Sequence, residues 1–85
     1  MPKVLLYQAD WCPYCRRAEA LLRGKGVTEI EKVEVVLDAQ GRAELVAKTG
    51  RRTVPQIYIG DRHVGGWDDL YALERAGELD PLLAR

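Results

Sequence analysis

Trp11-Cys12-Pro13-Tyr14-Cys15 is the stretch that decides how the rest of this 85-residue chain is read. It holds the only two cysteines, at C-x-x-C spacing, after a short apolar run and at the head of a helical pattern. With Cys12 as N-cap, Pro13 takes the first helical position, where a missing N–H costs nothing, and Cys15 takes the third. Both sulfurs then lie at one helix end. The free N–H groups and the positive end of the dipole there favour an anion, so a thiolate is expected to form more readily on Cys12 than on a free cysteine. Cys12 is the candidate nucleophile. Cys15 can close a short disulfide with it once Cys12 has been attacked.

Other uses of the pair fit less well. A closed zinc site takes four ligands, and His63 is the one further soft or borderline donor, so no metal is expected. A bridge across two intervening residues closes too small a loop to restrict the unfolded chain much, which argues against a structural disulfide. Redox chemistry is the expectation.

Outward from that stretch, the length indicates a single domain over 1–85, near the small end of what folds alone, with 47% hydrophobic residues to supply a core. Thirteen basic residues balance thirteen acidic ones, so bulk electrostatics favours neither nucleic acid nor an acidic membrane surface. Any charged ligand must be recognised locally. Met1-Pro2-Lys3-Val4-Leu5-Leu6-Tyr7 lacks the apolar region and small-residue cleavage site of a signal peptide, and no run approaches membrane-spanning length. The cytoplasm is the expected location, where a lone cysteine pair cycles rather than staying oxidised.

Lys3 to Gln8 reads as a strand buried on both faces, and Pro13 to about Lys25 as a helix with Ala18, Leu21 and Leu22 inward. Glu31 to Leu37 is rich in β-branched residues and predicts a second strand, parallel to the first across the helical crossover. Asp38 then caps a helix from about Gln40 to Lys48 that stops at Gly50. Gln56 to Ile59 and Arg62 to Val64 flank Gly60-Asp61 as a hairpin. Asp68 is the expected N-cap of a further helix with Leu70 and Leu73 inward and Gly77 as its stop, and the tail Leu79 to Leu83 predicts a capping turn or helix. The order is βαβαββα, an α/β chain whose first βαβ is expected to be right-handed and parallel.

Cys12-Pro13-Tyr14-Cys15, Thr53-Val54-Pro55-Gln56-Ile57-Tyr58-Ile59 and Gly65-Gly66-Trp67-Asp68-Asp69-Leu70 together resemble a dithiol glutaredoxin, closest to the short bacterial glutaredoxins of the third type. The likeness runs essentially end to end, through Tyr71-Ala72-Leu73 and Leu79-Asp80-Pro81-Leu82-Leu83. It implies the minimal thioredoxin fold, a four-stranded mixed sheet with helices on both faces, and a cis bond between Val54 and Pro55. It also implies that Val54 pairs ladder-fashion with the cysteine portion of glutathione and delivers that sulfur to Cys12. Thr53, Pro55, Gly66 and Tyr14 would flank the peptide. Amides near Trp67 and Asp68 would take its α-carboxylate, Asp68 or Asp69 its ammonium, and Arg42 and Arg52 its glycine carboxylate. Residue chemistry alone equally allows Pro55 as an edge-strand start, Asp68 as a plain N-cap, and Arg42, Arg51 and Arg52 as solvated charges. His63 reads as structural or surface.

Three positions depart from the family pattern. Many members carry a lysine four residues before the nucleophile, where this chain has Gln8. Asp10 adds an anion close to Cys12, and Trp11 resembles the Trp-Cys start of thioredoxin active sites. The resemblance implies a glutathione-dependent oxidoreductase that reduces glutathione mixed disulfides and protein disulfides, an enzyme such as ribonucleotide reductase among its partners. It implies a monomer with glutathione as reducing co-substrate and no permanently bound cofactor. A thioredoxin-like electron donor recycled by a flavoprotein reductase is the alternative, and a glutathione-ligated iron–sulfur carrier the third reading, against which Pro13, Tyr14 and Cys15 argue.

Overall fold

The computed structural model describes residues 1–85. Val4–Gln8 forms β1, Pro13–Gly24 α1 and Ile30–Glu34 β2; β1 and β2 pair in parallel, as a helical crossover between them requires. Ala39–Thr49 forms α2, and Gln56–Ile59 (β3) and Arg62–Gly65 (β4) form an antiparallel hairpin turned at Gly60. Trp67–Arg75 is α3 and Leu79–Leu83 is α4. The sheet order is β2-β1-β3-β4, with β3 antiparallel to β1, which is a mixed four-stranded sheet of the thioredoxin kind.

Alternation along β1 and β3 sends Val4, Leu6, Ile57 and Ile59 to one face, where Ala18 and Leu22 of α1, Leu70 of α3 and three leucines of α4 meet them in a single cluster. Each fully buried leucine there contributes roughly 1.5–3 kcal/mol. Lys25, at the end of α1, ties the helices together through Glu74 at 2.7 Å and Asp80 at 2.9 Å. On the other face Tyr7 and Tyr58 meet edge to face and α2 lies over them, with the Tyr58 hydroxyl donating to the Lys48 carbonyl at 3.4 Å.

Three boundaries differ from the sequence reading. β1 is fully buried on one face only, since α2 buries just Leu45 and Thr49 and leaves Leu5 and Tyr7 partly open. The second strand ends at Glu34, because Val35 N–H makes the last rung to the Gln8 carbonyl at 2.7 Å and β1 goes no further. Val36 is then left 68% exposed, while Leu37 packs against the cysteines. The third helix starts at Trp67 with Gly66 as its N-cap rather than Asp68; the Asp69 carboxylate accepts the Gly66 N–H at 2.9 Å and supplies the cap. Asp38 and Gly50 cap α2 as expected, Asp38 accepting the Gly41 N–H at 2.7 Å and Gly50 adopting a φ of 76°.

Candidate active site

The strand-to-helix turn after β1 closes when Cys12 N–H donates to the Ala9 carbonyl at 3.2 Å. Cys12 is the N-cap of α1 in extended conformation, Pro13 opens the helix, and the Cys15 N–H points at the Cys12 sulfur at 3.1 Å. This is the arrangement in which a helix end stabilises negative charge developing on sulfur. Ala9, Cys12 and Cys15 form a small buried cluster beneath Leu37 and Val54. Burial pushes the Cys15 thiol up to about 12, helped by its hydrogen bond with Cys12, so near neutral pH Cys15 holds its proton.

Beside the pair, the Val54–Pro55 bond is cis. Val54 precedes β3, and neither its N–H nor its C=O is paired with backbone elsewhere in the fold. Its carbonyl lies 3.9 Å from the Cys12 sulfur. Val54 thus has no backbone partner, and its carbonyl accepts from the Cys12 thiol against which it lies. From it a groove of about 250 Å³ runs between Tyr14 and Pro55 to Gly66, Trp67, Asp68 and Asp69 at the start of α3. Arg51 completes the lining, with its guanidinium 3.5 Å from the Asp69 carboxylate. Trp67 stacks on Tyr71 at 5.4 Å between ring centres, and the half-exposed Tyr14 carries the Arg17 guanidinium over its ring at 5.2 Å.

The fold therefore gathers Tyr14, Val54, Pro55, Gly66, Trp67, Asp68 and Asp69 around one groove, and Val54 joins that groove to the buried Cys12 and Cys15. Thr53 adjoins it but turns its carbonyl and hydroxyl toward the Gln56 side chain. Arg42 and Arg52 lie outside the lining, where the Arg42 guanidinium donates to the Arg52 carbonyl at 3.1 Å. Arg51 takes the place in the groove. By residue chemistry Arg51 is a solvated charge like its neighbour Arg52, and nothing in the order Arg51-Arg52-Thr53 marks which side chain turns inward. Gln8 donates to Glu34 at 2.6 Å, and the Asp10 carbonyl accepts Arg16 at 3.1 Å. No three His, Cys, Asp or Glu side chains converge anywhere on a metal-sized point. Another cavity of about 280 Å³, under α2 between Tyr7, Val33 and Lys48, shares no lining residue with this groove.

Comparison with known proteins adds to this geometry. A family model described as glutaredoxin matches residues 4–64. The chain is 55% identical over 84 residues to a glutaredoxin of Pseudomonas aeruginosa, covering 99% of each chain, and 49% identical over 83 residues to glutaredoxin 3 of Escherichia coli K12, covering 98% of this chain and 99% of that one. Among solved structures it resembles the buckwheat glutaredoxin–glutathione complex with a TM-score of 0.83 at 31% identity, over 98% of this chain and 77% of that one. It resembles the Brucella melitensis glutaredoxin with a TM-score of 0.80 at 51% identity, over 98% and 89%.

Proposed function

Because the chain belongs to the glutaredoxin family and is a thiol–disulfide oxidoreductase, we propose that it draws its electrons from glutathione and reduces glutathione mixed disulfides and protein disulfides. The observation that carries this is the Val54 backbone, free of any backbone partner and with its carbonyl 3.9 Å from the Cys12 sulfur, at one end of a groove whose other end is the start of α3. A peptide laid on Val54 as an added strand puts its own sulfur against Cys12. That the buckwheat relative was crystallised with glutathione supports the same ligand here.

Cys12 as thiolate attacks the glutathione sulfur of a mixed disulfide. The new sulfur–sulfur bond forms to Cys12, and the other thiol leaves and takes a proton. A second glutathione thiolate then attacks the glutathione sulfur on Cys12, releasing oxidised glutathione and restoring Cys12. With a protein disulfide, Cys12 becomes bonded to the protein, and Cys15 gives up its proton and attacks Cys12, freeing the protein thiol and leaving the Cys12–Cys15 disulfide for two glutathiones to reduce. The raised Cys15 thiol suits this order, because it keeps Cys15 protonated until Cys12 has reacted.

Val54, between Thr53 and Pro55, pairs with the peptide, and Tyr14 covers it. The amides at Trp67 and Asp68 take the γ-glutamyl carboxylate at the helix start, Gly66 allows close approach, and Asp68 or Asp69 takes the ammonium. Arg51 faces the groove for the glycine carboxylate, with Arg42 and Arg52 further out. The single domain works as a monomer in the reducing cytoplasm.

Reduction of a glutathione mixed disulfide of a small thiol, coupled to glutathione and glutathione reductase, tests the proposal. Wild type and Cys15→Ser are expected to turn over and Cys12→Ser to be inactive. A wild type that is inert there but accepts electrons from a flavoprotein thioredoxin reductase would transfer the protein to the thioredoxin-like reading, which the 68% exposed Trp11 favours.

A further inference from the structure

The segment that offers Val54 is held from beneath by one buried amide. Gln56 is 0% exposed, and its side-chain Nε2 donates to the Thr53 carbonyl at 2.9 Å, with the Thr53 hydroxyl at 3.4 Å. Its Oε1 lies 2.8 Å from His63 Nε2. With the amide nitrogen turned to Thr53, the oxygen can only accept, so the hydrogen between Gln56 and His63 sits on His63 Nε2. The histidine ring is itself fixed. It stacks on Tyr58 at 4.4 Å and 10°, and Tyr58 is held in turn by the edge of Tyr7 and by its bond to the Lys48 carbonyl.

We propose that His63 is a positioning residue for the glutathione site: by donating from Nε2 it holds the Gln56 amide in the direction that anchors the Thr53 carbonyl and so presents the Val54 backbone to the peptide. An amide has two orientations of equal shape, and here the Thr53 carbonyl on one side and the donor at 63 on the other select the same one. Were the amide reversed, its oxygen would face the Thr53 carbonyl, and two acceptors would meet in a buried place. Arg51 and Asp69, the charged pair of the groove, bear on the same imidazole. Burial first, and then Arg51, hold it below the ordinary histidine range against the opposing effect of Asp69, so it is neutral at neutral pH and carries the single hydrogen that the amide needs.

The inference rests on the glutathione reading above, and three substitutions separate it from a space-filling role. His63→Phe keeps the stack on Tyr58 and deletes the donor; the KM for the glutathione mixed disulfide should rise about threefold to tenfold with kcat within about twofold of wild type. His63→Gln loses the ring but restores an N–H donor, and should return KM to within about twofold of wild type. Ring packing alone predicts the reverse order. His63→Glu, of the same shape as Gln but an acceptor only, should behave like Phe, and this pair decides the matter if the Phe variant does not fold. Equal KM in wild type and His63→Phe, or in the Gln and Glu variants, would overturn the inference while leaving the glutathione reading intact. If wild type does not use glutathione at all, that reading falls first; the Thr53 and Val54 amide resonances of the free protein then decide this one. They should move in His63→Phe and return in His63→Gln, and resonances unchanged in His63→Phe would refute it.

Discussion

Cys15 follows Cys12 by one turn of α1, yet burial gives it a separate acid–base behaviour. Its thiol is pushed up to about 12, above the ordinary cysteine value of about 8.5, so the unfolded chain releases this proton first as pH rises. The contribution to stability is complete below about pH 8.5 and is lost progressively toward about 12. Urea unfolding of the reduced protein at a series of pH values should show stability falling through that window, and Cys15→Ser should fall less steeply. Equal slopes for the two proteins would mean that Cys15 titrates as an ordinary thiol.

α2 shows how an element can be legible in sequence and still hide its packing. Asp38 and Gly50 mark its ends, but Leu45 and Thr49 are the only residues it buries, and its first turn folds tightly back on the segment before it. Gly41 sits there with Asp38 and the Val36 carbonyl around it, and a Cβ would run into that carbonyl. Gly→Ala inside a helix ordinarily stabilises by about 0.5–1 kcal/mol. Gly41→Ala should instead destabilise by about 1–3 kcal/mol, the usual range for an overpacked site, and a thermal melt reads the sign directly. The strand before α2 stops at Glu34 for another reason. Val36 and Leu37 have strand-forming side chains, but beyond the Val35 N–H, which bonds the Gln8 carbonyl, β1 has no further backbone to pair with them.

Across the whole molecule the thirteen positive and thirteen negative charges cancel, so attraction for an anionic peptide has to come from where charge stands in the groove rather than from a long-range field. Arg51 is the cation in that lining, and Arg51→Gln should raise KM for glutathione disulfides roughly threefold or more, while Arg75→Gln, at the far end of α3, should leave it unchanged. Steady-state kinetics on the two variants checks this, and a parallel rise in both would point to bulk charge instead. The amino-acid sequence by itself determined the element order, the helix caps at Cys12 and Asp38 and the dithiol at a helix end, because these follow from local periodicity, proline at a first helical position and side-chain capping, all within a few residues. It also carried, through the resemblance, the residues from Thr53 to Asp69 that belong beside the cysteines. Which of Arg42, Arg51 and Arg52 turns into the groove, that Gly66 rather than Asp68 caps α3, and that His63 reaches Gln56 were decided only by the tertiary structure. Each of these depends on which way a side chain or amide points after strands and helices distant in sequence have packed, and no spacing along the chain records a direction in space.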